Sequence, residues 1–160
     1  MIRLMLFKVQ LHDDHHFDNI IYHFQKWRKD PRPENVHAEL GFDDGRMFSA
    51  SGRGGFFGTG TRFADSNAID LDKWDIRIIQ CTKTEEDAVR ASCERLVGKG
   101  YDWLGILGMG LPGALQLGSH WYCSEVCNHV LAENGLVKAS KKIRPSQMLD
   151  SYIGQGLIAI

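Results

Sequence analysis

The chain has no surplus of either charge: 19 basic and 20 acidic residues leave a formal net charge of −1 over 160 residues. No overall positive field therefore draws it onto nucleic acid or anionic lipid, although a local patch is compatible with that balance. It also has no apolar run near the ~20 residues of a membrane span. The apolar stretch LGILGMGLPGALQLG at 104–118 is interrupted by glycines and Pro112, and reads as a buried helical turn or a loop. A secretory signal is not recognisable in MIRLMLFKVQLHDDHH, where Arg3 and Lys8 break the apolar stretch and acids and histidines follow at once. These absences imply a protein of a cytosol-like compartment, with no integral membrane segment and no nucleic-acid partner.

Cysteine is sparse, and its positions (81, 93, 123 and 127) match neither a disulfide scaffold nor a zinc ribbon or finger. Free thiols are expected in a reducing compartment, each either buried filler or chemistry. There is no G-x-x-x-x-G-K-[ST] loop; the glycine-rich SGRGGFFGTGTRF at 51–63 reads as a loop, suited to a cleft wall or lid, and nucleotide binding is unsupported. The cluster HDDHH at 12–16 mixes metal-ligand types, with His12 and His16 four apart. It has no separate ligand set and reads as a solvated helix start, so neither metal nor cofactor is expected.

What is present fits a single domain spanning 1–160, with 43% hydrophobic and 24% charged residues. Residues 2–10 read as a strand. Phe17, Ile20, Ile21, Phe24 and Trp27 follow at spacings of three and four, one apolar face of a helix stopped by DPRP at 30–33. NVHAELGF, the turn DDG and RMFSAS form a hairpin, with Gly45 at the position needing φ > 0. WDIRIIQC is a strand, and TKTEEDAVRASCERLVGKG a helix capped by Thr84 with Val89, Cys93, Leu96 and Val97 inward. A helix begins near Cys123, with Cys123, Cys127 and Val130 on one face and Gly135 at its end. A last helix enters through Pro145, and LIAI closes the chain as a strand. The order predicts an α+β fold, an antiparallel sheet with helices packed beside it.

Two residues carry the chemistry. Cys123 stands at a helix start, where the dipole and unpaired N–H groups favour a thiolate and can hold a developing oxyanion. His37, on the first hairpin strand, is a candidate base to take the thiol proton and return it to a leaving group.

The stretches VHAELGF and FSAS, then GKGYDWLGILG, WYCSEVCNHVL and RPSQML, in that order, resemble the permuted NlpC/P60 papain-like superfamily. That group includes YiiX/YebB-like cysteine hydrolases and, more distantly, lecithin:retinol acyltransferase-like enzymes. The likeness runs from about Val36 to Leu149. It implies a papain-like fold of circularly permuted order, with the histidine strand ahead of the cysteine helix. It also implies Cys123 as nucleophile and His37 as base. The implied substrate is a peptide or other acyl amide, cell-wall peptide included. Without an export signal, access to a wall would need lysis or phage-type or host delivery. A lipid acyl hydrolase or acyltransferase is the neighbouring alternative, and a silent binding protein keeping the fold is a third.

Relatives place a polar residue on the strand after the histidine strand. MFSAS offers Ser49 or Ser51 there; a three-residue turn would set Ser51 opposite His37 and Ser49 opposite Glu39. Glu39 shares the strand face of His37 and is a carboxylate alternative. Ser49, Ser51 and Glu39 stand level. Glu125 reads as dipole compensation at its helix start, and Tyr101 and Asp102 read as structural.

Overall fold

The computed structural model describes residues 1–10, 16–52, 60–102, 120–140 and 142–159. The strands are β1 (Ile2–Lys8), β2 (Asn35–Gly41), β3 (Arg46–Ser51), β4 (Gly60–Asp65), β5 (Trp74–Ile79), β6 (Gly100–Tyr101) and β7 (His120–Trp121). The helices are α1 (His16–Trp27), α2 (Lys83–Leu96), α3 (Cys123–Glu133) and α4 (Pro145–Gly154). The fold is α+β: one seven-stranded sheet in the order β5-β1-β2-β3-β4-β6-β7. Its neighbours are antiparallel, except the short parallel pair β6–β7.

The β2–β3 hairpin turns at Gly45, whose φ of 80° only glycine adopts without strain. Its Leu40↔Phe48 and Gly41↔Met47 pairs give the register expected from a three-residue turn. β2 is buried at all seven positions, so its two faces are both covered. Residues 60–63, read as loop, instead belong to β4. Gly60 permits this, because a Cβ there would sit 2.0 Å from the Lys99 carbonyl oxygen. Of the terminal LIAI, the described residues 157–159 are not strand; the Leu157 carbonyl accepts from the Gln80 N–H at 2.9 Å.

Helix α2 is capped two residues earlier than Thr84 suggested. Thr82 is the N-cap, accepting from the Glu85 N–H while the Glu85 carboxylate accepts from the Thr82 N–H. That is a reciprocal capping box, a cap worth about 1 kcal/mol. Val89 and Cys93 point inward as expected, but Val97 is 49% exposed.

Helix α1 departs further from its apolar pattern. Its buried residues are Asp18, Ile21 and Gln25, while Ile20 and Trp27 are 58% and 70% exposed. The reason is hydrogen bonding. Gln25 Nε2 donates to the carbonyls of Pro33 and Asn35 at 2.9 Å each, and its Oε1 accepts from the Ser146 N–H at 3.3 Å. Backbone groups entering β2 and α4 would otherwise be buried unpaired, a cost of about 1–3 kcal/mol each. Satisfying them outweighs burying one more apolar side chain.

The same corner holds an ion pair. Arg144 grips Asp30 with two hydrogen bonds of 2.5 and 2.6 Å, and Ser146 Oγ adds a third at 2.7 Å. Both charged side chains are largely withdrawn from solvent, 11% and 3% exposed. Removing one partner leaves a buried charge uncompensated. Arg144→Ala is therefore expected to lower the unfolding free energy by roughly 3–5 kcal/mol. Asp30→Asn in the same chain should restore part of that loss, as read by urea denaturation.

Candidate functional site

The sheet register sets the site out in two rows. Phe7 of β1 pairs with His37 of β2 on one side and with Trp74 of β5 on the other. Met5 likewise joins Glu39 to Ile76. Continuing the hairpin register places Ser51 beside His37 and Ser49 beside Glu39, and Ser49 pairs onward with Arg62 of β4. Strand alternation then brings His37, Glu39, Ser49 and Ser51 to one face.

On that face the His37 Nε2 and a Glu39 carboxylate oxygen are 3.0 Å apart, both side chains buried. Arg62 stands 3.6 Å from the same carboxylate oxygen. His37 also shares a hydrogen bond with Cys123 across the sheet–helix interface. The Trp74 ring meets the imidazole edge-on, 6.2 Å between centroids, and the Phe7 ring meets Trp74 at 5.4 Å. These aromatics wall the imidazole in.

The electrostatics follow. Burial by itself pulls the His37 pKa down. The charge and hydrogen bond of Cys123, then the hydrogen bond and charge of Glu39, override it and raise the value from 6.5 to about 9. The imidazolium is thus favoured across neutral pH. Burial has the opposite outcome for the other interior thiols: it drives the pKa of Cys93 and Cys127 upward, keeping both protonated.

Cys123 opens α3. Tyr122 occupies the N-cap without a side-chain cap bond, and the Val126 N–H to Tyr122 carbonyl bond begins the ladder at 3.1 Å. The N–H groups of Cys123 and Ser124 precede that bond, at the positive end of the helix. The neighbouring Ser124 Oγ donates to the Ile143 carbonyl at 2.7 Å, fixing the first turn. Cys123 and His37 are only 2% and 6% exposed, so the pair lies beneath the surface.

The three level candidates for the residue next to His37 now separate. Glu39 makes the hydrogen bond to the imidazole. The Ser49 hydroxyl instead donates to the Ala38 carbonyl at 2.6 Å. Ser51 is buried and pairs with Gly60 of β4. The β2–β3 ladder holds only two pairs before the strands part. Beyond them, the Cys127 sulfur sits 3.7 Å from the Ala38 carbonyl oxygen and 3.8 Å from that of Phe48. Ser49 and Cys127 therefore occupy the place of missing ladder bonds, which is a structural duty.

Sequence reasoning missed Trp74 and Arg62. Register arithmetic through Phe7 would have found Trp74; Arg62 was hidden because β4 was read as loop. Asp102 is fully buried, and its N–H donates to the Trp121 carbonyl at 3.0 Å. Glu125 is buried as well. The metal reading of residues 12–15, the loop at 53–59 and the apolar segment at 104–118 lie outside the described residues. Among the described residues no group of three or more His, Cys, Asp or Glu side chains could hold a metal ion.

Two outcomes are expected from this geometry. In an NMR titration, Glu39→Gln should move the His37 pKa downward from about 9, and Cys123→Ser should move it further, since the sulfur contributes more. Ser49→Ala should leave that titration in place while lowering the unfolding free energy by about 1–3 kcal/mol, because the Ala38 carbonyl loses its hydroxyl partner. The chain matches no family model, no curated protein and no solved structure.

Proposed function

We propose that the chain is a cysteine hydrolase that cleaves amide bonds, peptides first among them, on a permuted papain-like fold. The observation that carries this reading is the buried His37 imidazole held between the Cys123 sulfur and the Glu39 carboxylate. A nucleophile, its base and an orienting acceptor are the three parts such chemistry needs. The resemblance of VHAELGF, WYCSEVC and RPSQML to the permuted NlpC/P60 superfamily supports the same reading, as does a histidine strand that precedes the cysteine helix.

In this mechanism the Cys123 thiolate attacks the carbonyl carbon and forms the sulfur–carbon bond. Backbone N–H groups at the start of α3 hold the oxyanion. The His37 imidazolium gives its proton to the amine nitrogen as the carbon–nitrogen bond breaks. The neutral imidazole then takes a proton from water, whose oxygen adds to the thioester, and the sulfur leaves as thiolate beside a renewed imidazolium. Glu39 keeps Nε2–H directed and compensates the imidazolium charge. Arg62 faces that carboxylate from β4.

The 2% exposure of Cys123 favours a second reading, a non-catalytic protein that keeps the fold. Alkylation separates the two. For the hydrolase, iodoacetamide labels Cys123 well below pH ~8.5, the range of a free thiol, and His37→Ala removes that reactivity. A thiol that titrates ordinarily, or never labels, with no turnover on a panel of peptide, cell-wall-peptide and lipid acyl substrates, rejects catalysis; turnover of lipid esters alone moves the assignment to an acyl hydrolase. In the active case, kcat/KM should fall as pH rises through about 9, where the imidazolium loses its proton. Cys123→Ala should cost on the order of 10³-fold or more.

The imidazole also links stability to pH. A folded-state pKa raised to about 9 from 6.5 means that the native state holds the proton more tightly. The His37 contribution is complete below pH 6.5 and is lost as pH climbs through about 9. Urea midpoints should decline over that window in the wild type and decline less in His37→Gln.

A further inference from the structure

The outward side of α1 carries exposed His16, Ile20, His23 and Trp27 beside half-buried Phe24, residues that helical geometry stacks along one side. Ile20 and Trp27 are 58% and 70% exposed, and the Phe24 and Trp27 rings meet at 6.0 Å. Lys26, Arg28 and Lys29, all exposed, neighbour Trp27 in the chain, and the Lys26 ammonium lies 5.6 Å from the Tyr22 ring. The single acid among residues 16–29, Asp18, is buried, and the next, Asp30, is bound by Arg144. A chain of net charge −1 thus places three exposed cations next to Trp27, and among the described residues 16–30 neither acid is exposed.

We propose that this face of α1 docks the protein onto an anionic lipid surface, with Trp27 and Ile20 entering the interface and Lys26, Arg28 and Lys29 contacting lipid phosphates. Indole rings beside cationic side chains suit the headgroup layer, where an apolar body and a polar rim are both satisfied. The apolar stripe favours lipid over nucleic acid, whose backbone offers it no apolar partner. Its small size favours lipid over a protein. Ile20 and Trp27 lie about 10 Å apart along the helix, too narrow for the roughly 800 Å² per partner of a stable protein interface. Shallow insertion beside three cations requires no such area. The inference is independent of the hydrolase reading, although Gln25 ties α1 to the Asn35 carbonyl, two residues from His37. A docked helix would hold the histidine strand at a set distance from the membrane.

The test is co-sedimentation of the full chain with phosphatidylcholine vesicles, with and without phosphatidylserine, alongside duplex DNA and polyglutamate as competing polyanions. Binding to the phosphatidylserine vesicles is expected, weakened by salt and accompanied by a Trp27-dependent blue shift in fluorescence. Lys26→Gln/Arg28→Gln/Lys29→Gln should weaken it on the order of 100-fold, about five-fold per cation. Trp27→Ala should weaken it on the order of ten-fold and remove the shift. Both variants alter exposed side chains and should keep the wild-type urea midpoint. Failure to bind the anionic vesicles, binding indifferent to both variants, or binding to DNA or polyglutamate alone would each overturn the proposal.

Discussion

Helix α3 is buried along most of its length, and the surrounding structure is arranged to make that burial possible. Eight of its eleven residues are withdrawn from solvent, among them Ser124, Glu125 and Asn128. Polar groups so placed need partners inside the protein. Ser124 finds the Ile143 carbonyl, and Asn128 finds the Ser140 carbonyl and the Tyr152 hydroxyl. These bonds fix the chain that leads from α3 into α4, and the Arg144–Asp30 pair locks that segment against the approach to β2. The helix on one side and the histidine strand on the other are thereby held in one register.

The opening of the β2–β3 ladder belongs to the same constraint. A helix packed this close to the hairpin puts the Cys127 sulfur against two strand carbonyls, and the Ser49 hydroxyl completes the local accounting. One turn back on the helix, Cys123 is carried to His37. Two cysteines four residues apart thus meet the same hairpin with different consequences. Cys127 lies among carbonyl oxygens, which offer a thiol nothing but acceptors. Cys123 lies against an imidazole that Glu39 supports from behind. The difference is made by the neighbours each sulfur meets, not by depth, since both are buried.

Helix α1 shows the competing demand. Its strongest apolar stripe would have been satisfied by turning Ile20 and Trp27 inward, yet Gln25 holds the interior position. A buried carbonyl without a donor costs as much as a sizeable apolar side chain gains, and Gln25 supplies two donors and an acceptor together. The exposed aromatic and its cationic neighbours are what that choice leaves at the surface.

Much of the architecture was legible in the residues themselves. The helix stop at Gly135, the helix start at Pro145, the hairpin turn at Gly45 and the alternating strands follow from local geometry, which neighbouring residues suffice to specify. The α+β class and the hairpin register follow in turn. Thr82 was misplaced as Thr84 because a capping box reads the same at either threonine until its backbone bonds are drawn. β4 was missed because glycine-rich sequence carries little strand preference, and its pairing comes from the neighbouring strand and the close approach to Lys99. Local pattern could nominate Cys123 and His37, and leave Glu39, Ser49 and Ser51 equal. Tertiary structure alone decided which of these touches the imidazole, because that depends on how a helix 80-odd residues away in the chain seats on the hairpin, and sequence spacing carries no record of a distance closed through space.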